Sequence, residues 1–192
     1  MDNYRYRKLF SNLPQIDTER LLLKKIVIEN AGDMYEYASL NVVSKYLLWS
    51  PHLNLHSTKG YIEYLQREYK KGSYADWGIT LKSENKFIGT IGFSNIDLEN
   101  NNAEIGYVLN PSYWGNGYMG EALEAVIRLT FDSLHIRRLQ ARIMEGNTAS
   151  EKIMLKLGFK YEGTLRDYLL VKGEYRNIKF YSLLETEYYA AK

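Results

Sequence analysis

Gly115, Gly117 and Gly120 fall within six residues, and Glu121-Ala122 follows them at the start of an apolar-periodic segment. Glycine lets a backbone approach a ligand closely and adopt positive φ without a side-chain penalty. Free N–H groups at a helix start, with the helix dipole behind them, attract an anion. The spacing therefore predicts a binding loop for a phosphorylated cofactor; the bland alternative is a tight turn before an ordinary helix. Just upstream, Glu104-Ile105-Gly106-Tyr107-Val108-Leu109 reads as a strand that places Glu104, Gly106 and Val108 on one face. A carboxylate there can take a proton from an incoming nucleophile, unless it is a surface Glu paired with a neighbouring Lys.

Other phosphate motifs fit less well. Gly115-x-Gly117-x-x-Gly120 matches the bare dinucleotide spacing, but it lies beyond the midpoint of the chain and follows hairpin-like segments rather than opening a parallel unit. A Walker loop requires Lys-Ser/Thr where Glu121-Ala122 stands.

Around this loop the chain reads as one mixed α/β domain. At 192 residues it is long enough for a substantial core, and 45% apolar with 25% charged residues is ordinary globular usage. A net charge of +2 argues against a nucleic-acid partner. The absence of cysteine removes disulfides, thiolate metal sites and thiol nucleophiles, and fits a cytoplasmic protein. Met1–Arg7 has no apolar signal core, and no stretch approaches a membrane span. His52 and His56 are four apart, but Pro51 and Asn54 make that segment a loop, and no metal site is expected.

The element pattern is a strand over 16–26, a helix capped by Asn30, and a helix after Ser57-Thr58 that ends at Gly72. Strands at 77–81, 87–93 and 103–109 follow. Leu123, Val126, Ile127 and Phe131 then mark a helix behind the glycine loop. A strand at 139–144, a short helix opened by Asn147-Thr148-Ala149-Ser150 and closed by Gly158, and strands at 159–171 and 175–184 about Lys172-Gly173-Glu174 complete the chain.

Thr18-Glu19-Arg20-Leu21, Glu104-Ile105-Gly106-Tyr107, Tyr113-Trp114-Gly115-Asn116-Gly117-Tyr118-Met119, Asn147-x-x-Ser150 and Leu157-Gly158-Phe159-x-x-Glu162-Gly163 occur in this order. With these five motifs the chain resembles the GCN5-related N-acetyltransferases (GNAT), and within them the RimJ/RimL type that acetylates ribosomal-protein N-termini. The resemblance runs from about residue 16 to residue 184 of a single GNAT domain spanning 1–192. Trp114 stands where the wider superfamily has Arg or Gln, as in the Rim-type subgroup.

The resemblance implies a mostly antiparallel sheet of about seven strands with flanking helices, whose fourth and fifth strands, 103–109 and 139–144, splay around acetyl-CoA. The pyrophosphate would sit on the loop Trp114, Gly115, Asn116, Gly117, Tyr118, Met119 and Gly120. Backbone groups of Tyr107, Val108 and Leu109 would pair with the pantetheine arm. Asn147 and Ser150 would face its thioester end, and Lys152 or Lys156 would meet an outer phosphate. Glu104 would serve as base and Ser150 as acid, although Ser150 is equally a helix-capping residue. Many relatives carry a Tyr acid where this chain has Met154. Tyr46 to His52 and the hairpin Asp167 to Tyr175 would shape the acceptor channel.

An α-amine has a pKa near 7.8 and a lysine amine near 10.4, so neutral lysine costs about 3.5 kcal/mol more to reach. That favours a protein N-terminus as acceptor. A polyamine, amino acid or antibiotic amine is the alternative on the same fold, and a non-catalytic acyl-CoA-binding module the alternative of another class. Strand edges near the C-terminal hairpin could support a homodimer.

Overall fold

The computed structural model describes residues 10–72 and 75–192. Met1–Arg7 lies outside the described residues. Eight strands form one sheet there: β1 (Ile16–Asp17), β2 (Leu21–Lys24), β3 (Ala75–Leu81), β4 (Lys86–Asp97), β5 (Asn102–Leu109), β6 (Arg138–Met144), β7 (Lys160–Val171) and β8 (Glu174–Leu184), in the order β1-β2-β3-β4-β5-β6-β8-β7. Every pairing is antiparallel except β5 with β6. Parallel neighbours require a long crossover, and here it contains the helix behind the glycine loop.

The helices are α1 (Ala31–Ala38), α2 (Asn41–Ser44), α3 (Leu55–Lys71), α4 (Tyr118–Arg128), α5 (Thr148–Lys156) and α6 (Glu185–Ala190). α1 packs on α3 and on β4; α4 packs on β2 and β4; α5 packs on β6 and β7. Buried Leu123 and Val126 of α4 follow the expected spacing, and Tyr37 of α1 stacks on Phe87 at 6.2 Å. Phe10, Trp77 and Phe93 meet edge to face, with the Trp77 indole N–H donating to the Pro14 carbonyl at 2.6 Å. A buried indole requires such a partner.

Several expectations change. The first strand is broken, which raises the strand number from about seven to eight. The Thr18 hydroxyl accepts from Leu21 N–H, and Thr18 N–H donates to the Leu21 carbonyl, so residues 18–21 turn and β1 folds back on β2. Asn30 does not cap α1; its side chain accepts from Val27 N–H and closes a 3-10 turn ahead of the helix. α3 starts at Leu55 because Asn54 accepts from Ser57 N–H, three residues earlier than the Ser57-Thr58 signal suggested. Sequence patterning did not indicate the short helices α2 and α6. Gly72 and Gly158 do end their helices, with φ of +65° and +86°.

The β4–β5 contact depends on one glycine. A Cβ at Gly89 would lie 2.3 Å from the Val108 carbonyl oxygen, a backbone atom that cannot step aside. Gly89→Ala is expected to cost about 1–3 kcal/mol, read as a Tm several degrees lower. Gly32→Ala, in α1 with open space around it, should leave Tm unchanged or raise it slightly.

Candidate active site

β5 and β6 form ladder pairs only at Asn102–Arg138, Ala103–Leu139 and Glu104–Gln140. Past Glu104 they part. A cleft of about 930 Å³ opens beside the unpaired length of β5, lined also by the glycine loop, α4, α5 and the segment containing Val43 and Tyr46. β4 covers only one edge of β5. Asn110 N–H donates to the Ile88 carbonyl at 2.8 Å, and Val108 pairs with Thr90. The two-residue alternation of an antiparallel ladder then turns the main-chain groups of Val108 towards β4 and those of Tyr107 and Leu109 away from it. The Leu109 carbonyl is already taken by the Trp114 indole N–H at 2.8 Å. The free groups along this edge are therefore those of Tyr107 and the Leu109 N–H, not those of Val108.

The loop is held from a distance. Gly115 and Gly117 have φ of +79° and +80°, the left-handed region where glycine is unstrained. Gly117 is the N-cap of α4, and no side chain caps the first-turn amides. Arg20, at the turn before β2, ties this segment down. Its Nε pairs with Glu121 Oε2 at 2.7 Å, its Nη1 donates to the Asn116 carbonyl at 3.0 Å, and its guanidinium lies 4.6 Å from the centre of the Tyr118 ring. Glu121 Oε1 accepts from the Thr18 hydroxyl at 2.6 Å and from Arg20 N–H at 2.8 Å. Burial pushes the Glu121 carboxyl upward, but these donors outweigh it and hold it below the ordinary value.

Glu104 marks the point where the strands part. It is buried, 6% exposed, and its carboxylate accepts from Ser94 Oγ at 2.7 Å and Gln140 Nε2 at 3.3 Å. It also pairs with Arg142 Nε at 2.7 Å. Ser94 reaches it because the β4–β5 register shifts between Phe93 and Asn95. Glu104 is not part of the cleft lining.

On the far wall, Asn147 is the N-cap of α5 and accepts from Ser150 N–H at 3.3 Å. Both residues face the cleft, whereas Met154 is fully buried in the core. Tyr107, Val108, Leu109, Trp114, Gly115, Gly117, Tyr118, Met119 and Gly120 line the cleft as well. Asn116 does not; its side chain turns back to the Tyr113 and Trp114 carbonyls. Lys152 is exposed and off the cleft, while Lys156, one turn later, lines it. The two segments read as acceptor walls meet: Lys172 Nζ donates to the Ser44 carbonyl at 2.6 Å, and Tyr46 packs with Met144, Val171 and Ile178. His52 spends a ring nitrogen on the Thr58 hydroxyl at 2.8 Å, and no group of three or more metal-ligating side chains occurs among the described residues.

Glu121, Arg142 and Ser94 had no functional signal in the sequence; Arg20 stood in the motif Thr18-Glu19-Arg20-Leu21 without a role of its own. A parted parallel strand pair opens here on an uncapped helix start in a mixed α/β domain. Residues 20–160 match the model of the acetyltransferase (GNAT) domain. The chain is 37% identical over 171 residues to the uncharacterized N-acetyltransferase p20 of Bacillus licheniformis, covering 89% of this chain and 96% of that protein. It is 30% identical over 177 residues to the [ribosomal protein uS5]-alanine N-acetyltransferase of Escherichia coli (strain K12), covering 87% and 90%. The crystal structure of a GNAT-family acetyltransferase from Bacillus anthracis superposes with a TM-score of 0.82 at 28% identity, covering 91% of this chain and 100% of that one. The chain belongs to the GNAT acetyltransferase family and is an N-acetyltransferase.

Because the Glu121 carboxyl is depressed when folded, its contribution to stability is complete above the ordinary value of 4.5 and is lost as pH falls through the lower folded value. The Tm of the wild type should therefore fall more steeply below about pH 4.5 than that of Glu121→Gln. Arg20→Ala should weaken CoA binding about tenfold by calorimetry. Arg20→Ala with Glu121→Ala should cost less than the sum of the two single changes, since the groups touch.

Proposed function

We propose that this enzyme transfers the acetyl group of acetyl-CoA to the N-terminal α-amine of a protein, a ribosomal protein being the first acceptor to test, in the cytoplasm and by direct attack in a ternary complex. The observation that carries this reading is the cleft: uncapped amides of Gly115 to Gly120 at one end, a free strand edge along its length and a buried carboxylate where the strands part. The likeness to a uS5-alanine acetyltransferase supports the acceptor class.

In this reading the diphosphate rests on the loop amides, with the α4 dipole behind them. Trp114, Tyr118 and Met119 wall the loop, and Lys156 rather than Lys152 meets an outer phosphate. The pantetheine runs along the Tyr107 and Leu109 backbone, and Asn147 and Ser150 stand at the thioester end. Glu104 takes the proton that the attacking nitrogen sheds. Its carboxylate must loosen one of its three present partners to do so, and a water can bridge the remaining distance. Arg142 keeps the site near neutral until the acceptor ammonium arrives.

Thiol release should be seen with peptides bearing a free N-terminus. It should be abolished by blocking that amine, and should be absent with spermidine. For an α-amine acceptor, kcat/KM should climb about tenfold per pH unit and level off near pH 7.8; a lysine acceptor would keep climbing towards 10.4. Glu104→Gln should lower kcat about 100-fold or more, with acetyl-CoA affinity retained. Unchanged turnover in Glu104→Gln would remove it as the base.

A further inference from the structure

The three partners of Glu104 are not equivalent. Ser94 Oγ donates to Oε1 at 2.7 Å, while Gln140 Nε2 and Arg142 Nε share Oε2 at 3.3 and 2.7 Å. Gln140 is fixed twice over: it sits in the last β5–β6 ladder pair, and its Oε1 accepts from Arg138 Nε at 3.3 Å. Ser94 is placed by the register shift between β4 and β5. Arg142 lies past the last ladder pair, on the length of β6 that has no strand partner towards β5. Its side chain is 31% exposed, and its guanidinium has no other hydrogen bond or ion pair among the described residues.

The pair also faces a definite side of the sheet. Leu139, Ala141 and Ile143 belong to the core that holds Met154 of α5, so Gln140 and Arg142 alternate to the opposite face. There Arg142 stands across from Phe180, which shares an apolar cluster with Tyr46. Tyr46 in turn lines the cleft. α5 and the ion pair thus flank the fork from its two sides, and a group arriving past Tyr46 and Phe180 meets the pair first.

We propose that Arg142 gates the base: the α-ammonium of the acceptor displaces it from Glu104 Oε2, and an uncharged group does not. The inference rests on the acetyl-transfer reading above. Removing the cation from a buried carboxylate is strongly unfavourable unless another cation takes its place. An ammonium supplies that charge, with N–H donors for the vacated oxygen. The exchange leaves the net charge of the site unchanged and makes or breaks no covalent bond. Ser94 and Gln140 hold the carboxylate still while it happens. The ammonium then lies against the group that takes its proton, and a hydroxyl or an amide in the same place leaves the gate shut.

The test measures peptide binding by calorimetry at about pH 6.5 with CoA present, where most of an α-amine is charged. One peptide begins with alanine; the other carries a propionyl group in place of that alanine, which removes only the amino nitrogen. In wild type the ammonium must evict Arg142, so it should strengthen binding less than about tenfold. In Arg142→Gln nothing is evicted, and the ammonium should strengthen binding at least about tenfold more than in wild type. Arg142→Lys keeps a cation and should restore the wild-type ratio. In Glu104→Gln the ammonium should give no advantage. A residue that merely braced the fork would change both peptides alike, so equal ratios in Arg142→Gln and wild type would overturn the inference. An advantage of about 100-fold or more in wild type itself would overturn it as well, with no variant needed. If wild type released no thiol from acetyl-CoA with any free-amine peptide, the acetyl-transfer reading would fail, and this inference with it.

Discussion

The parting of β5 from β6 after a single short ladder governs the rest of the molecule. Three register pairs hold the two strands together, and then each continues with one edge unsatisfied. Backbone donors and acceptors must find partners somewhere. On β6 the far edge is taken by β8 along the whole strand, and the edge facing β5 has no strand partner past Gln140. On β5 one edge is covered by β4, and the other has no strand partner past Glu104. The buried carboxylate at the fork is tied across it to Gln140 and Arg142, so the gap begins at a fixed place.

Two ends of the cleft are organised in different ways. At the loop end, backbone amides and helix dipole supply diffuse positive charge, and Arg20 supplies rigidity. At the fork, side chains carry discrete charges and hydroxyls. This division suits a long carrier whose handle is anionic and whose reacting end is neutral. Gly89 belongs to the same design, because only a residue without Cβ lets β4 press against Val108 and fix the direction in which Tyr107 and Leu109 turn.

Much of this arrangement was legible in the chain because it is local. Three glycines before an amphipathic run specify a loop and a helix regardless of what surrounds them, and Asn147 followed by Ser150 specifies a cap. Strand alternation placed Glu104 and Val108 on one face. What stayed hidden depends on residues far apart. Nothing near Glu104 announces Arg142, and nothing near Glu121 announces Arg20. The main-chain direction at Val108 depended on a register that only pairing with β4 could set. The cap at Ser57 misled because Asn54, Ser57 and Thr58 compete within about one turn and Asn54 takes the role, and the cap at Asn30 misled because its side chain accepts from Val27 N–H in the preceding turn instead. Lys152 and Lys156 lie one turn apart on the same side of α5, and only the packing of the helix decides which turn borders the cleft.

Arg20 and Glu121 stand 101 residues apart, yet the Arg20 main-chain N–H and guanidinium both grip the same carboxylate. During synthesis from the ribosome, the glycine loop and the start of α4 cannot acquire their final shape until more than half of the polypeptide has emerged. In the proposed role, a coenzyme held by that loop would bind only the finished tertiary structure, and by mass action it would draw the population away from partly folded forms.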